Sequence, residues 1–165
     1  MRPTDADTAL IKAALQEALP AAGWGDVPIG AVVTDPSGVI IGRGANERER
    51  LGDPTAHAEI VAMRQAASSL GTWRLDGCTL AVTLEPCAMC AGALLSSRIS
   101  RLVYGAWDEK AGAVGSVYDL IRDARLPQRA EVVAGVLADE CAVPITAFFR
   151  TSGSATGEPA RREEG

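Results

Sequence analysis

Two segments of the sequence decide the fold: TAHAE at residues 55–59 and TLEPCAMC at residues 83–90. Together they spell H-x-E followed by P-C-x-x-C, and His57 is the only histidine of the chain. One ring nitrogen and two thiolates make three zinc ligands and leave a fourth position open, as in catalytic zinc sites. A carboxylate two residues beyond the histidine can lie beside the metal without binding it, and is free to carry protons. The sequence therefore predicts a zinc site formed by His57, Cys87 and Cys90, with Glu59 beside it.

Each motif taken alone has another interpretation. A histidine is more often packed or exposed than bound to a metal. A C-x-x-C pair that follows a strand and opens a helix also describes a thioredoxin-like dithiol. That interpretation leaves the H-x-E segment unexplained, so we favour zinc. The remaining cysteines, Cys78 and Cys141, are interpreted as small apolar residues in packed positions.

Length and composition limit the class of protein. The chain of 165 residues is expected to form one domain over residues 1–150, followed by a disordered tail of small polar residues at 151–165. No apolar run approaches the roughly 18 residues of a membrane span, and the N-terminus has acids where a signal peptide needs apolar residues. We therefore expect a cytoplasmic protein without a membrane partner, whose cysteines bind metal or stay free thiols.

The periodicity of apolar residues predicts alternating strands and helices. Strands are predicted at about 29–34, 39–42, 79–83, 101–105 and 131–134, and helices at about 5–19, 56–70, 86–96 and 139–150. Asp5 or Asp7 is the expected cap of the first helix and Thr55 that of the second. Pro144 lies two turns into the last helix, so that helix is kinked there or begins later. The alternation favours an α/β sandwich with the sheet between helical layers.

Both ligand segments lie where helices are predicted to start. Pro86 suits the first turn of its helix, and Cys87 and Cys90 then share one face of that turn. His57 stands near the start of the other helix. We expect the positive ends of two helix dipoles to point at the metal, which favours the thiolates and a bound water close to its hydroxide form.

Further segments resemble the bacterial tRNA-specific adenosine deaminases, of the cytidine deaminase-like superfamily. They are DPTAHAEI at 53–60, TLEPCAMCAGA at 83–93, RLVYGAWDEKAGA at 101–113 and GVLADECAVPITAFFR at 135–150, and the resemblance covers roughly residues 8–150. It implies a cytidine deaminase-like, three-layer α/β/α sandwich with a five-stranded mixed sheet and helices on both faces. It also implies one Zn²⁺ per subunit and a homodimer with loops of both subunits near the active sites.

The resemblance further implies an activity and a set of contacts. Zinc-bound hydroxide attacks C6 of the wobble adenosine in a tRNA anticodon stem-loop, Glu59 carries the protons, and inosine is formed from a base splayed out of its loop. The implied substrate contacts are Asn46 to the base, Ala31, Ala58 and Pro86 along the pocket, Asp108 to the ribose, and Phe149 to a neighbouring base. From the residues alone, Asn46 could instead satisfy a turn and Asp108 could be an ordinary loop acid. Glu85 is expected to cap a helix or support the site rather than carry protons.

The charge balance leaves two other functions open. A net charge of −5 is unusual for a nucleic-acid binder unless its arginines form a local patch. Trp107 also stands where the resemblance leads us to expect a basic residue. We interpret its side chain as packed in the core or in a dimer interface. A deaminase of free bases or nucleosides such as cytosine or guanine would suit the acidic charge. A zinc-stabilised RNA-binding module without catalysis would have no use for Glu59.

Overall fold

A five-stranded sheet forms the middle layer of the computed structural model, which describes residues 2–154. Its strands are β1 (Gly30–Thr34), β2 (Ile40–Ala45), β3 (Thr79–Leu84), β4 (Arg101–Ala106) and β5 (Glu131–Val133), in the order β2-β1-β3-β4-β5. β1 runs antiparallel to β2 and β3, whereas β3–β4 and β4–β5 are parallel pairs. The expected mixed sheet is confirmed.

Helices cover both faces of this sheet. They are α1 (Asp5–Ala18), α2 (Arg48–Leu51), α3 (Ala58–Leu70), α4 (Ala88–Ser96) and α5 (Ala138–Ser154), with a 3₁₀ turn at Ala21–Trp24. The core on one face joins β-strand residues to α3 and α4, and the core on the other face joins them to α1 and α5. The three-layer α/β/α sandwich is therefore confirmed. In the described part of the chain, no helix combines the length and the apolar character needed to cross a membrane.

The central strands are buried on both faces. Ala31 and Val33 of β1 point into the core beneath α3 and α4, and Val32 between them points into the opposite core with Ile11 of α1. This alternation follows from the two-residue period of a strand, and the cover on both faces explains the continuous apolar run. Cys78 and Cys141 are fully buried in these cores, which confirms their interpretation as packed residues.

Glycines of β2 let α3 approach the sheet closely. A Cβ added at Gly42 would collide with the carbonyl oxygen of Ala62, and one at Gly44 would collide with that of Ala58. Only a residue without a side chain allows this contact. The first turn of α3 is consequently fixed against the hairpin of β1 and β2, and His57 immediately precedes that turn.

The first and the last helix each differ from the sequence-based prediction. Thr4, not Asp5 or Asp7, caps α1: its Oγ1 accepts from the Asp7 backbone N–H, and the Asp7 carboxylate accepts from the Thr4 N–H. This reciprocal pair is a capping box, with Asp7 in its third helical position. The last helix starts one residue earlier than predicted, continues through Pro144 and includes residues 151–154 of the predicted tail. The rest of that tail, residues 155–165, lies outside the described residues.

Candidate active site

Two of the predicted zinc ligands are the N-cap residues of helices. His57 precedes α3 and Cys87 precedes α4, both with extended backbone (ψ 154° and 174°), and neither side chain caps its helix. Both helices therefore start two residues later than predicted, because an extended residue such as His57 or Cys87 cannot belong to the helix that follows it. Thr55 instead donates to the Asp53 carboxylate, and Pro86 lies before the first turn of α4. The positive ends of α3 and α4 therefore both lie at the cluster of candidate ligands.

The three donor atoms have the spacing of zinc ligands. Nδ1 of His57 lies 3.6 Å from Sγ of Cys87 and 3.5 Å from Sγ of Cys90, and all three donor atoms lie within 4.8 Å of one another. A tetrahedral zinc with its usual bond lengths to nitrogen and sulfur separates those two atoms by about 3.6 Å. The residues therefore fit zinc with one position free.

The electrostatics of the donor set favour metal binding. The hydrogen bond from Cys90, followed by that from His57, lowers the pKa of Cys87 to about 3. The same contact with Cys87, together with burial, raises the pKa of Cys90, and the hydrogen bond to Cys87 raises the pKa of His57. Both cysteines bind zinc as thiolates, so zinc binding releases protons and its affinity depends on pH.

Glu59 lies in the first turn of α3 and is 96% buried, since only 4% of it is exposed. Burial raises the pKa of its carboxyl group to about 7. A carboxyl group with this pKa takes and releases a proton near neutral pH, which is what a proton carrier requires. Glu59 is not part of the cluster of possible metal donors.

Glu85 anchors the loop that follows β4. Its carboxylate accepts from the backbone N–H groups of Asp108, Val114 and Ser116, each at 3.0 Å, and from the Ser116 hydroxyl. Burial alone would raise the pKa of Glu85, but these hydrogen bonds outweigh it and lower the pKa. A Cβ at Gly112 would collide with this carboxylate. Glu85 therefore supports the site and does not cap a helix.

A cavity of about 150 Å³ opens beside the donor set. Asn46, Ala58 and Asp108 line it, as the sequence led us to expect. Two other residues of the expected pocket do not: Ala31 is fully buried inside the sheet, and Pro86 is buried with its carbonyl accepting from the Ala113 N–H. Phe149 lines a larger neighbouring cavity.

Part of the cavity wall was not predicted from the sequence, namely Val27, Ile29, Leu84 and Arg48. Ile29 precedes β1 and Leu84 ends β3, and these antiparallel strands bring the two residues to the same sheet edge. Their apolar side chains at strand ends were a usable signal. The position of Arg48 depends on the Asp26 carboxylate, which accepts from the N–H groups of Glu49 and Arg50 and fixes α2 beside the cavity.

Asn46 presents an unused acceptor to the cavity. Its Nδ2 donates to the carbonyl of Val27 at 3.3 Å, and its backbone carbonyl accepts from Nε1 of Trp24 at 3.2 Å. Its Oδ1 is buried and has no partner among residues 2–154. A buried oxygen without a donor is costly in free energy unless a ligand supplies one.

Most arginines of the described chain are neutralised by carboxylates. The pairs are Arg43–Glu17, Arg50–Glu47, Arg64–Asp53, Arg74–Asp76, Arg101–Asp7, Arg101–Glu131, Arg122–Asp119 and Arg125–Asp123. Within residues 2–154, the cations without a carboxylate partner are Arg2, Lys12, Arg48, Arg98, Lys110, Arg129 and Arg150. Three of these, Arg48, Lys110 and Arg150, line the small cavity or its larger neighbour. An acidic chain thus keeps unpaired positive charge at the mouth of its site.

Known proteins resemble this chain in sequence and in structure. Residues 4–106 match the model of the cytidine and deoxycytidylate deaminase zinc-binding region. The tRNA-specific adenosine deaminase of Bacillus subtilis is 48% identical over 144 residues, which are 87% of this chain and 89% of that protein. A solved structure from a study of A-to-I editing by tRNA:A34 deaminases is 43% identical with a TM-score of 0.79, covering 83% of this chain and 99% of that one. The guanine deaminase of Nitrosomonas europaea is 27% identical with a TM-score of 0.71, covering 86% and 83%.

Proposed function

Because this chain belongs to the cytidine and deoxycytidylate deaminase zinc-binding family, and within it to the tRNA-specific adenosine deaminases, we propose that it converts the wobble adenosine of a tRNA anticodon to inosine. It is a zinc-dependent hydrolase. The observation that carries the proposal is the donor set of His57, Cys87 and Cys90 with the buried carboxyl group of Glu59 beside it. The net reaction consumes one water and releases one ammonia.

His57, Cys87 and Cys90 hold one zinc ion per subunit. Bound there, zinc supplies Lewis acidity that makes a water at its free position acidic near neutral pH. Glu59 takes a proton from the attacking water and delivers it to N1 of the adenine as the water oxygen bonds to C6. Glu59 then takes the remaining proton of the hydroxyl now on C6 and gives it to the exocyclic nitrogen, so that the C6 carbonyl forms, the bond from C6 to that nitrogen breaks, and ammonia leaves. A carboxyl group with a pKa of about 7 suits both transfers.

The small cavity selects one flipped nucleoside. The free Oδ1 of Asn46 accepts a hydrogen bond from it, and Ala58 contributes an apolar wall. Asp108 uses Oδ1 to accept from the N–H groups of Lys110 and Ala111, which turns the loop and leaves its other oxygen for a ribose hydroxyl. A contact with the 2′-hydroxyl distinguishes RNA from DNA. Phe149, 58% exposed, contacts a neighbouring base of the anticodon loop.

The distribution of charge supports an RNA substrate despite the net charge of −5. Phosphates need unpaired cations, and Arg48, Lys110 and Arg150 supply them around the two cavities. A free base carries no phosphate and would gain little from these side chains. The anticodon stem-loop is therefore favoured over free cytosine or guanine.

The outer face of α4 supports a homodimer. The inner face of this helix is buried, while Ala88, Met89, Gly92 and Ala93 give the outer face an apolar surface that is partly or fully exposed. A helix that is apolar all round normally packs on both sides. A second copy of the chain covers this face and comes close to the metal centre, because α4 also carries Cys90.

Light scattering tests the dimer, with an expected mass of twice the 17.1 kDa of one chain. A Cβ at Gly92 meets no atom within 4 Å, so Gly92→Lys keeps the fold of one chain but places a charge against the partner. Gly23→Lys is the matched control, because its Cβ also meets nothing within 4 Å and it lies away from α4. A monomeric wild type, or a Gly92→Lys variant that remains dimeric, would refute this interface.

The setting proposed for this reaction is the cytoplasm. Cys78, Cys87, Cys90 and Cys141 are all free thiols, as expected in a reducing compartment.

Inosine formation on an anticodon stem-loop RNA with adenosine at the wobble position tests the activity. Zinc-loaded wild type should form inosine, and Glu59→Ala should bind the same amount of zinc and lose turnover by about 10²- to 10⁴-fold. Free guanine, cytosine and their nucleosides form the second arm. Turnover of these compounds with an inert stem-loop would overturn the RNA assignment, and an active Glu59→Ala variant would overturn the role of Glu59.

A further inference from the structure

A second cavity of about 760 Å³ adjoins the catalytic one. Val27, Ile29, Leu84 and Asp108 line both cavities, so a ligand can pass from one to the other without leaving the protein surface. The larger cavity can therefore hold a part of the substrate that extends beyond the reacting nucleoside.

Trp107 forms an exposed aromatic wall of this second cavity. Its side chain is 51% exposed, so of the two packing roles expected from the sequence, the core of the chain or a dimer interface, the core is excluded. The indole meets the fully buried ring of Tyr104 edge to face, at 5.1 Å between centroids and 89° between planes. The ring is thus held on one edge by Tyr104 while about half of its surface faces solvent.

The rest of the cavity wall has the chemistry of a nucleic-acid strand. Phe149 of α5 exposes a second aromatic ring, which leans edge to face on Phe148 at 5.5 Å. Lys110 and Arg150 line the same cavity and have no carboxylate partner within residues 2–154. Aromatic rings for bases and unpaired cations for phosphates are the combination that single-stranded nucleic acids require.

We propose that Trp107 is a specificity-determining residue that stacks on the base next to the reacting adenosine. Stacking anchors the strand in the second cavity and directs the flanking nucleotide into the catalytic one. Every base has a π face, so this contact selects a splayed single strand and is tolerant of the identity of the neighbouring base. The inference rests on the proposed function, which places a neighbouring base against Phe149, and adds Trp107 as a stacking residue of the same cavity.

Binding and turnover of the stem-loop by Trp107→Ala provide the first test. Loss of one base–aromatic stack should raise Kd and KM by about 5- to 100-fold and leave kcat nearly unchanged, while Trp107→Phe retains most of the affinity. Tyr118→Ala is the matched control, because Tyr118 is 61% exposed but lines neither cavity. Equal Kd values for wild type and Trp107→Ala would overturn the proposal.

Abasic substitution separates stacking from a structural effect of Trp107. Two stem-loops are used, with an abasic site either 5′ or 3′ of the wobble adenosine. One of them should weaken wild-type binding as much as Trp107→Ala does, and should cause no further loss in Trp107→Ala. Independent, multiplicative losses for both RNAs would overturn the stacking contact. Kd is measured without turnover, so this test does not require activity. If the affinity depends on Trp107 but no inosine is formed, the stacking contact stands and the proposed function fails.

Discussion

The metal centre and the second cavity solve different physical problems. At the metal centre, His57 and Cys87 occupy the N-cap positions of helices and Glu59 is buried, so backbone and core packing determine these positions. In the second cavity, Trp107 and Phe149 are more than half exposed and the cations are unpaired. The fold itself therefore fixes the catalytic groups, whereas side chains at the protein surface decide which substrate binds.

Removal of zinc should have the largest effect, because it acts on the metal centre. Dialysis against a chelator should abolish inosine formation, lower the melting temperature and leave RNA affinity within about tenfold, since the cations and aromatic rings remain. Restored activity after zinc addition is the control. Undiminished activity of metal-free protein would show that the reaction does not depend on zinc.

Loss of the Glu85 carboxylate should affect both the stability of the fold and the binding of RNA. Glu85→Ala removes four hydrogen bonds that a buried carboxylate accepts from the loop carrying Asp108, and a destabilisation of about 3 kcal/mol is expected. Urea denaturation measures the free energy of unfolding, and stem-loop affinity should fall with it. Unchanged affinity in a destabilised variant would show that the second cavity does not need this anchor.

The ion pair between Asp7 and Arg101 should affect stability without affecting RNA. The hydrogen bond from Arg101 lowers the pKa of Asp7 to about 2, and the Asp7 side chain is only 1% exposed. The pair therefore stabilises the fold above about pH 4, contributes about 2 kcal/mol, and loses this contribution as the pH falls from about 4 towards 2.

Asp7→Asn is the comparison for this ion pair. The stability difference between wild type and variant should be present at neutral pH and shrink towards zero near pH 2, as followed by urea titrations at several pH values. The two proteins should bind the stem-loop equally at neutral pH. A stability difference that does not change with pH would contradict the ionic origin of the contribution.

Lys110→Ala should have the smallest effect, confined to the surface part. Removing one phosphate contact should weaken stem-loop binding uniformly across sequences and reduce the slope of log K against log salt concentration by about 1. Arg125→Ala is the control, because Arg125 is already paired with Asp123. Equal slopes for wild type and Lys110→Ala would remove Lys110 from the path of the RNA.

What the sequence could predict follows the same division. The candidate zinc ligands, the glutamate and the alternation of strands with helices are encoded in short, local patterns. The structure confirms the α/β sandwich and brings His57, Cys87 and Cys90 together. The helix starts at 57–58 and 87–88 were misjudged because the cap positions hold His57 and Cys87, not the usual Ser, Thr or Asp.

Residues that depend on distant partners were the hardest to predict. Ile29 and Leu84, not Ala31, line the cavity because the register of β1 against β3 decides which side chains reach the sheet edge. Glu85 finds its partners 23 to 31 residues further along the chain, in a loop without regular structure. No local pattern in the sequence contains such information.

The pairing of most arginines with carboxylates has a consequence for the crowded setting of a cell. Affinity for arbitrary RNA comes almost entirely from phosphate contacts. A chain with a net charge of −5, in which carboxylates pair with most arginines of residues 2–154, has a weak overall attraction for arbitrary RNA. Ribosomal and messenger RNA in large excess should then compete poorly for the enzyme, which leaves it free to sample anticodon loops quickly and to let go of wrong ones.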